Sequence, residues 1–154
     1  MSDLENTSQP SPARGMGWVL AGMVVILIVG LWTIFTHRLD ESPPPPEIAH
    51  DRLLVLGRKQ YLKRCATCHG MEGKGNGPLR EHMLGPPPGN LSDSTWKYGD
   101  QPAQVLKVLR NGAPDSAMPA WKDTLTDEQL RAVAAYVYYL AKREVPEVLR
   151  KPPG

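Results

Sequence analysis

The 154-residue chain has only two cysteines, Cys65 and Cys68. That is too few for the multi-disulfide framework with which small secreted domains hold themselves together. No second CxxC and no H-x3-H accompanies the pair, so the further ligands of a structural zinc site are missing. No strand signal appears either, which removes the βαβ setting of a thioredoxin-like dithiol. The formal net charge of +2 is too mild to point to nucleic acid, and no internal repeat is visible. What is left is a pair of cysteines two residues apart that must act together.

The first third of the chain differs from the rest. Residues 1–15 are polar and read as a disordered tail. Residues 16–36 carry no charge, long enough for a helix to cross a hydrocarbon core of about 20 residues, with Trp18 and Trp32 near its ends. The polar, acidic leader and the absence of an A-x-A-like site favour a retained anchor over a cleaved signal. Residues 37–47 form a linker, in which Pro43–Pro46 predict a semi-rigid polyproline II spacer. Residues 48–143 have the size of one small domain, and 144–154 read as a C-terminal tail. Within the domain, periodicity predicts a helix over 48–64 with Leu53, Leu54, Gly57 and Tyr61 on one side. Residues 70–100 are dense in glycine and proline and predict irregular loop. A short helix is expected over 102–110, ending at Asn111-Gly112. A last helix opens with a Thr126/Gln129 capping box and presents Leu130, Val133, Val137 and Leu140 as its buried stripe. The fold class is all-α.

Cys65-Ala66-Thr67-Cys68-His69 has the spacing of c-type haem attachment. Two thiols on one helical turn can form thioethers along one edge of a single covalent haem c, and the adjacent imidazole can reach the iron. A sixth ligand could come from Met71, Met83, Met118, His50 or His82. Met71 is too close to His69 to reach round the ring. Met118 is expected to serve, because Pro119 fixes the loop that carries it. A thioether ligand favours ferrous iron and raises the potential relative to a second histidine.

These residues resemble class I cytochrome c, and most closely the haem domains of cbb-type terminal oxidases and related respiratory complexes. The matching segments are Gly57 and Tyr61, CATCHG at 65–70, GKGNGP at 73–78, Trp96-Lys97-Tyr98-Gly99, RNGAPDSAMPAW at 110–121 and LTDEQLRAVAAYVYYL at 125–140. The run Pro86-Pro87-Pro88 departs from the pattern. The resemblance implies helices packed around one haem, with the first and last crossing at Gly57 and Tyr136. It implies that the Pro78 carbonyl, with Pro86 as rival, accepts from His69 Nδ1, and that Trp96, Tyr98 and Arg110 bond the haem propionates.

The function these features predict is single-electron transfer in a respiratory chain. The protein is expected to be a non-enzymatic subunit of an integral membrane complex such as a terminal oxidase, a nitric oxide reductase or a quinol-oxidising assembly. A tethered shuttle is the alternative, and a haem-based sensor or peroxidase with a dissociating Met118 is a further one. Haem c chemistry places the domain on the periplasmic side of a single-pass inner-membrane anchor, although the charges flanking 16–36 do not favour that side. Residues 47–154 hold sixteen Lys and Arg against twelve Asp and Glu, a net of +4. Arg58, Lys59, Lys63 and Arg64 stand just before Cys65, either as a solvated face or as a rim for an acidic electron donor or acceptor protein.

Overall fold

The computed structural model describes residues 13–40, 42–83, 85–93 and 95–151. Most of the expected N-terminal tail, residues 1–12, therefore lies outside the described residues. All regular structure among the described residues is helical. The chain divides into two compact units, Met1–Ser42 and Pro43–Gly154.

The first unit holds α1, Ala13–Asp40, a helix of 28 residues. Its side chains are described over 18–34, where the large apolar ones from Trp18 to Ile34 are exposed. Among the described residues no helix is long and apolar enough to cross a membrane. The expected span of 16–36 reaches past the described side chains at both ends.

The second unit is built on two crossing helices, α2 (Arg52–Arg64) and α5 (Asp127–Leu140). α2 starts later than the periodicity predicts. The Asp51 carboxylate accepts from the N–H groups of Leu53 and Leu54 at 3.0 and 3.1 Å, so the helix begins at that cap. Residues 48–50 form a turn that buries Ile48. α5 opens with the expected box: Gln129 N–H donates to Thr126 Oγ1 at 3.2 Å, and Thr126 N–H donates to Gln129 Oε1 at 2.9 Å. The helices cross at Gly57, where a Cβ would stand 2.0 Å from the Ala132 carbonyl oxygen and 2.9 Å from Tyr136 Cβ. Only glycine admits so close an approach.

α5 is more deeply buried than one stripe, with every residue from Ala132 to Tyr138 inside. α2 covers one side, Val133 and Val137 border an internal cavity, and Tyr138 packs edge-on against Trp96 at 5.1 Å. Three short α-helices, α3 (Ala66–His69), α4 (Pro102–Asn111) and α6 (Glu147–Arg150), and a 3-10 turn at Arg80–His82 complete the unit. α6 falls where a tail was expected. Its Leu149 is completely buried, and Arg150 Nη1 donates to Asp51 Oδ2 at 2.8 Å. Burial raises the Asp51 carboxyl, but Arg150 and the Leu54 and Leu53 N–H groups outweigh it and hold the group below its ordinary value.

Candidate functional site

Cys65 continues α2, its N–H donating to Tyr61 O at 2.8 Å. The chain then turns through α3, with Cys68 N–H and His69 N–H both donating to Cys65 O, at 3.1 and 2.8 Å. A helix this short leaves its last carbonyls without partners, and the following glycine-rich loop supplies them. Leu79, Gly77 and Gly75 donate to the carbonyls of Thr67, Cys68 and His69 at 2.9, 3.1 and 2.8 Å. The approach needs Gly77, because a Cβ there would stand 2.4 Å from Thr67 O. The buried Tyr61 hydroxyl donates to Gly70 O at 2.7 Å and ties the turn back to α2.

This turn presents Cys65, Cys68 and His69 to a cavity of about 330 Å³. Val105, Val108 and Leu109 of α4, Val133 and Val137 of α5, and Trp96 and Trp121 give the cavity an apolar lining, and Met83 and Met118 also border it. The cysteines are not joined to each other. Burial pushes the Cys65 thiol up to about 12, with Arg64 opposing and Cys68 adding to the shift. The thiol therefore stays protonated at neutral pH. Burial also holds the His69 imidazole below its ordinary value, only partly opposed by the Gly89 carbonyl. The ring is thus neutral near pH 7, the form that ligates a metal.

Met118 rides on a loop pinned at several points. Its N–H donates to Ser116 Oγ at 3.2 Å, its carbonyl accepts from Ala113 N–H at 3.4 Å, and Ser116 Oγ donates to Ala113 O at 2.9 Å. Trp121 N–H then donates to Leu109 O at 3.0 Å, fastening the loop to α4. Met83, among the described residues, has a single such bond, from its N–H to Arg80 O at 3.4 Å.

Four of the expected site residues make contacts that the resemblance did not imply. His69 Nδ1 lies 3.3 Å from Gly89 O, so the carbonyl beside the imidazole belongs neither to Pro78 nor to Pro86. Pro78 is exposed and sits between Gly77 and Leu79, whose N–H groups are committed to α3. Arg110 does not border the cavity. Its Nη2 donates to Asp127 Oδ1 at 2.9 Å, in the first turn of α5. Trp96 and Tyr98 do border it, but their donors serve backbone carbonyls: Trp96 Nε1–H to Leu91 O at 3.3 Å and the Tyr98 hydroxyl to Pro114 O at 2.8 Å. Both stand in the wall of the cavity. Gly89 gave no sign in the sequence, whereas Val105 and Val108 share a helical face and could have been assigned to the wall.

Two thiols, a neutral imidazole and thioethers around an apolar cavity are the donor set that a covalent haem c requires. No group of three or more His, Cys, Asp or Glu gathers as a competing metal site among the described residues. Residues 54–137 match the family model described as cytochrome c oxidase, cbb3-type, subunit III. The chain belongs to that family. This cbb3-type cytochrome c holds one covalent haem, through Cys65 and Cys68. It is 36% identical over 128 residues to the cbb3-type cytochrome c oxidase subunit FixP of Bradyrhizobium diazoefficiens, covering 83% of this chain and 39% of the relative. It is 36% identical over 93 residues to subunit CcoP of Rhodobacter capsulatus, covering 56% of this chain and 29% of the relative. The chain thus spans two fifths or less of these relatives. Among solved structures it is similar to a Kuenenia stuttgartiensis reducing HAO-like protein complex Kustc0457/Kustc0458, with a TM-score of 0.56 and 26% identity. That match covers 66% of this chain and 48% of the other.

Proposed function

We propose that this chain is a membrane-anchored monohaem cytochrome c that relays single electrons as a subunit of a cbb3-type oxidase or a related respiratory complex, with His69 and Met118 as axial ligands. The observation that carries the reading is the cavity itself, where the CATCH turn and the pinned Met118 loop border one apolar space. Haem c, when bound, supplies a one-electron ferric/ferrous couple. Cys65 and Cys68 fix one edge of the group, and the neutral His69 ring is oriented from behind by Gly89 O. The bonds at Ser116 and Ala113 limit how far Met118 can withdraw. The valines of α4 and α5 and the two tryptophans give the site apolar walls, which lower the dielectric through which nearby charge acts.

The uncharged stretch at 16–36 and the exposed apolar side chains of α1 support a single membrane anchor. The Pro43–Pro46 spacer then carries the haem domain on the extracytoplasmic side, where haem c is assembled.

The test has three parts. Protein made with haem-attachment machinery keeps its haem through acidified acetone extraction. Met118→Ala, and not Met83→Ala, abolishes the sulfur-to-iron charge-transfer band. Mild-detergent purification brings oxidase or related complex subunits with the chain. Loss of haem in acetone sinks the cytochrome reading, loss of the band with Met83→Ala moves the ligand, and purification alone in native membranes leaves the tethered shuttle.

A further inference from the structure

One charged pair stands behind the loop wall of the cavity and takes no part in the site described so far. Arg143, three residues beyond α5, lies over two aromatic rings, 5.2 Å from the Trp96 centroid and 5.5 Å from that of Tyr138. Its Nη2 donates to Asp100 Oδ2 at 2.8 Å. The Tyr138 hydroxyl donates to the Asp100 carbonyl. Trp96 itself borders the cavity, so the guanidinium is one side chain behind the wall.

The two charges of this pair are unequally answered. Nη1 of Arg143 is buried and has no acceptor among the described residues. The Arg143 side chain is 31% exposed and packs on rings, while the Asp100 side chain is 43% exposed. Water and salt screen an exposed carboxylate more than a guanidinium held against aromatic rings. From the cavity, then, the guanidinium stacked on Trp96 is the less screened member of the pair. Reduction removes one positive charge at the site, so a cation nearby favours it and an anion opposes it.

We propose that the Arg143–Asp100 pair sets the electron affinity of the haem, with Arg143 acting as a positioning residue that holds Trp96 and favours the reduced state while Asp100 opposes it. This rests on the electron-transfer reading above. No atom is transferred; the pair shifts only the free energy with which one electron is accepted from a donor.

Redox titration of the full haem-loaded chain tests it. At a fixed ambient potential, Arg143→Gln lowers the ratio of reduced to oxidised protein by about tenfold, the size expected for an unpaired charge acting across a partly screened interior. Asp100→Asn raises that ratio severalfold, because its backbone carbonyl still accepts from Tyr138 while the cation loses its partner. The double variant returns toward the parent value. Arg143→Lys keeps the ratio while the melting temperature falls. A pair that merely braced the wall would give the opposite pattern, with both single variants admitting water and shifting the ratio the same way. That result, or no shift in either, overturns the proposal. Should Arg143→Gln fail to fold, an unchanged or lowered ratio in Asp100→Asn overturns it alone. Absence of covalent haem in the parent protein would instead sink the electron-transfer reading.

Discussion

Around Cys65, Cys68 and His69 the chain is held by its own backbone. Three consecutive carbonyls of α3 receive N–H groups from residues 75, 77 and 79, and the conformation depends chiefly on glycine, with the Tyr61 hydroxyl as a side-chain tie to Gly70 O. The loop over the described residues 85–93 and 95–98, which also borders the cavity, is held differently. Its Ser92 and Thr95 N–H groups turn back onto the side chains of Asn90 and Asp93 at 2.9 and 3.0 Å. Its longer reach depends on Trp96 packing on Tyr138 and on the Tyr98 hydroxyl reaching Pro114. The difference teaches which changes each region tolerates. A backbone-held turn ignores most side-chain replacements and fails at its glycines, while a side-chain-held loop loosens by degrees.

The largest effect is expected where the backbone-held turn is tightest. Gly77→Ala drives a methyl group into Thr67 O and Cys68 O, at 2.4 and 2.6 Å. Both neighbours are backbone and cannot swing aside, so denaturant unfolding of the haem-loaded protein should show a loss of about 3 kcal/mol. A loss under about 1 kcal/mol would mean that the turn adapts as the loop does. Tyr98→Phe tests the loop directly. Removing the hydroxyl leaves Pro114 O at an exposed site where water can replace it, and the same measurement should fall by about 1 kcal/mol. A loss as large as that of Gly77→Ala would erase the distinction between the two regions. The smallest effect belongs to Pro87→Ala. Pro87 is exposed, so the change acts mainly by freeing the unfolded chain, for about 0.5 kcal/mol. An effect several times larger would show that the proline run braces the cavity.

The same difference explains what could be read from the amino-acid sequence. The CATCH turn, the Met118-Pro119 loop and the Thr126/Gln129 box are local signals, each complete within about a dozen residues, and each occupies its expected place in the fold. The crossing at Gly57 and Tyr136 followed from family resemblance, since periodicity alone names no partner. The contacts that the sequence hid most fully join residues that meet across the chain. Arg110 was assigned to a haem propionate but pairs with Asp127, whose place in the first turn of α5 becomes visible only when the two helices are set side by side. The carbonyl facing His69 comes from Gly89, 20 residues on, after a loop whose course the proline run hides. The C-terminal residues looked like a tail because Val145, Val148 and Leu149 stand scattered among charged residues and prolines, and the burial of Leu149 depends on α6 reaching the start of α2.

The crossing of α2 and α5 also imposes an order in time. Synthesis runs from the N-terminus, so the Cys65–Cys68 segment exists well before Asp127–Leu140 does. Until α5 is made, Gly57 has nothing to pack against and Tyr61 lacks Tyr136, its ring neighbour at 5.3 Å. In that interval both thiols hang on an open chain. Once α5 closes, Cys65 is left 9% exposed and faces the cavity, so a large group must reach it through a narrower approach.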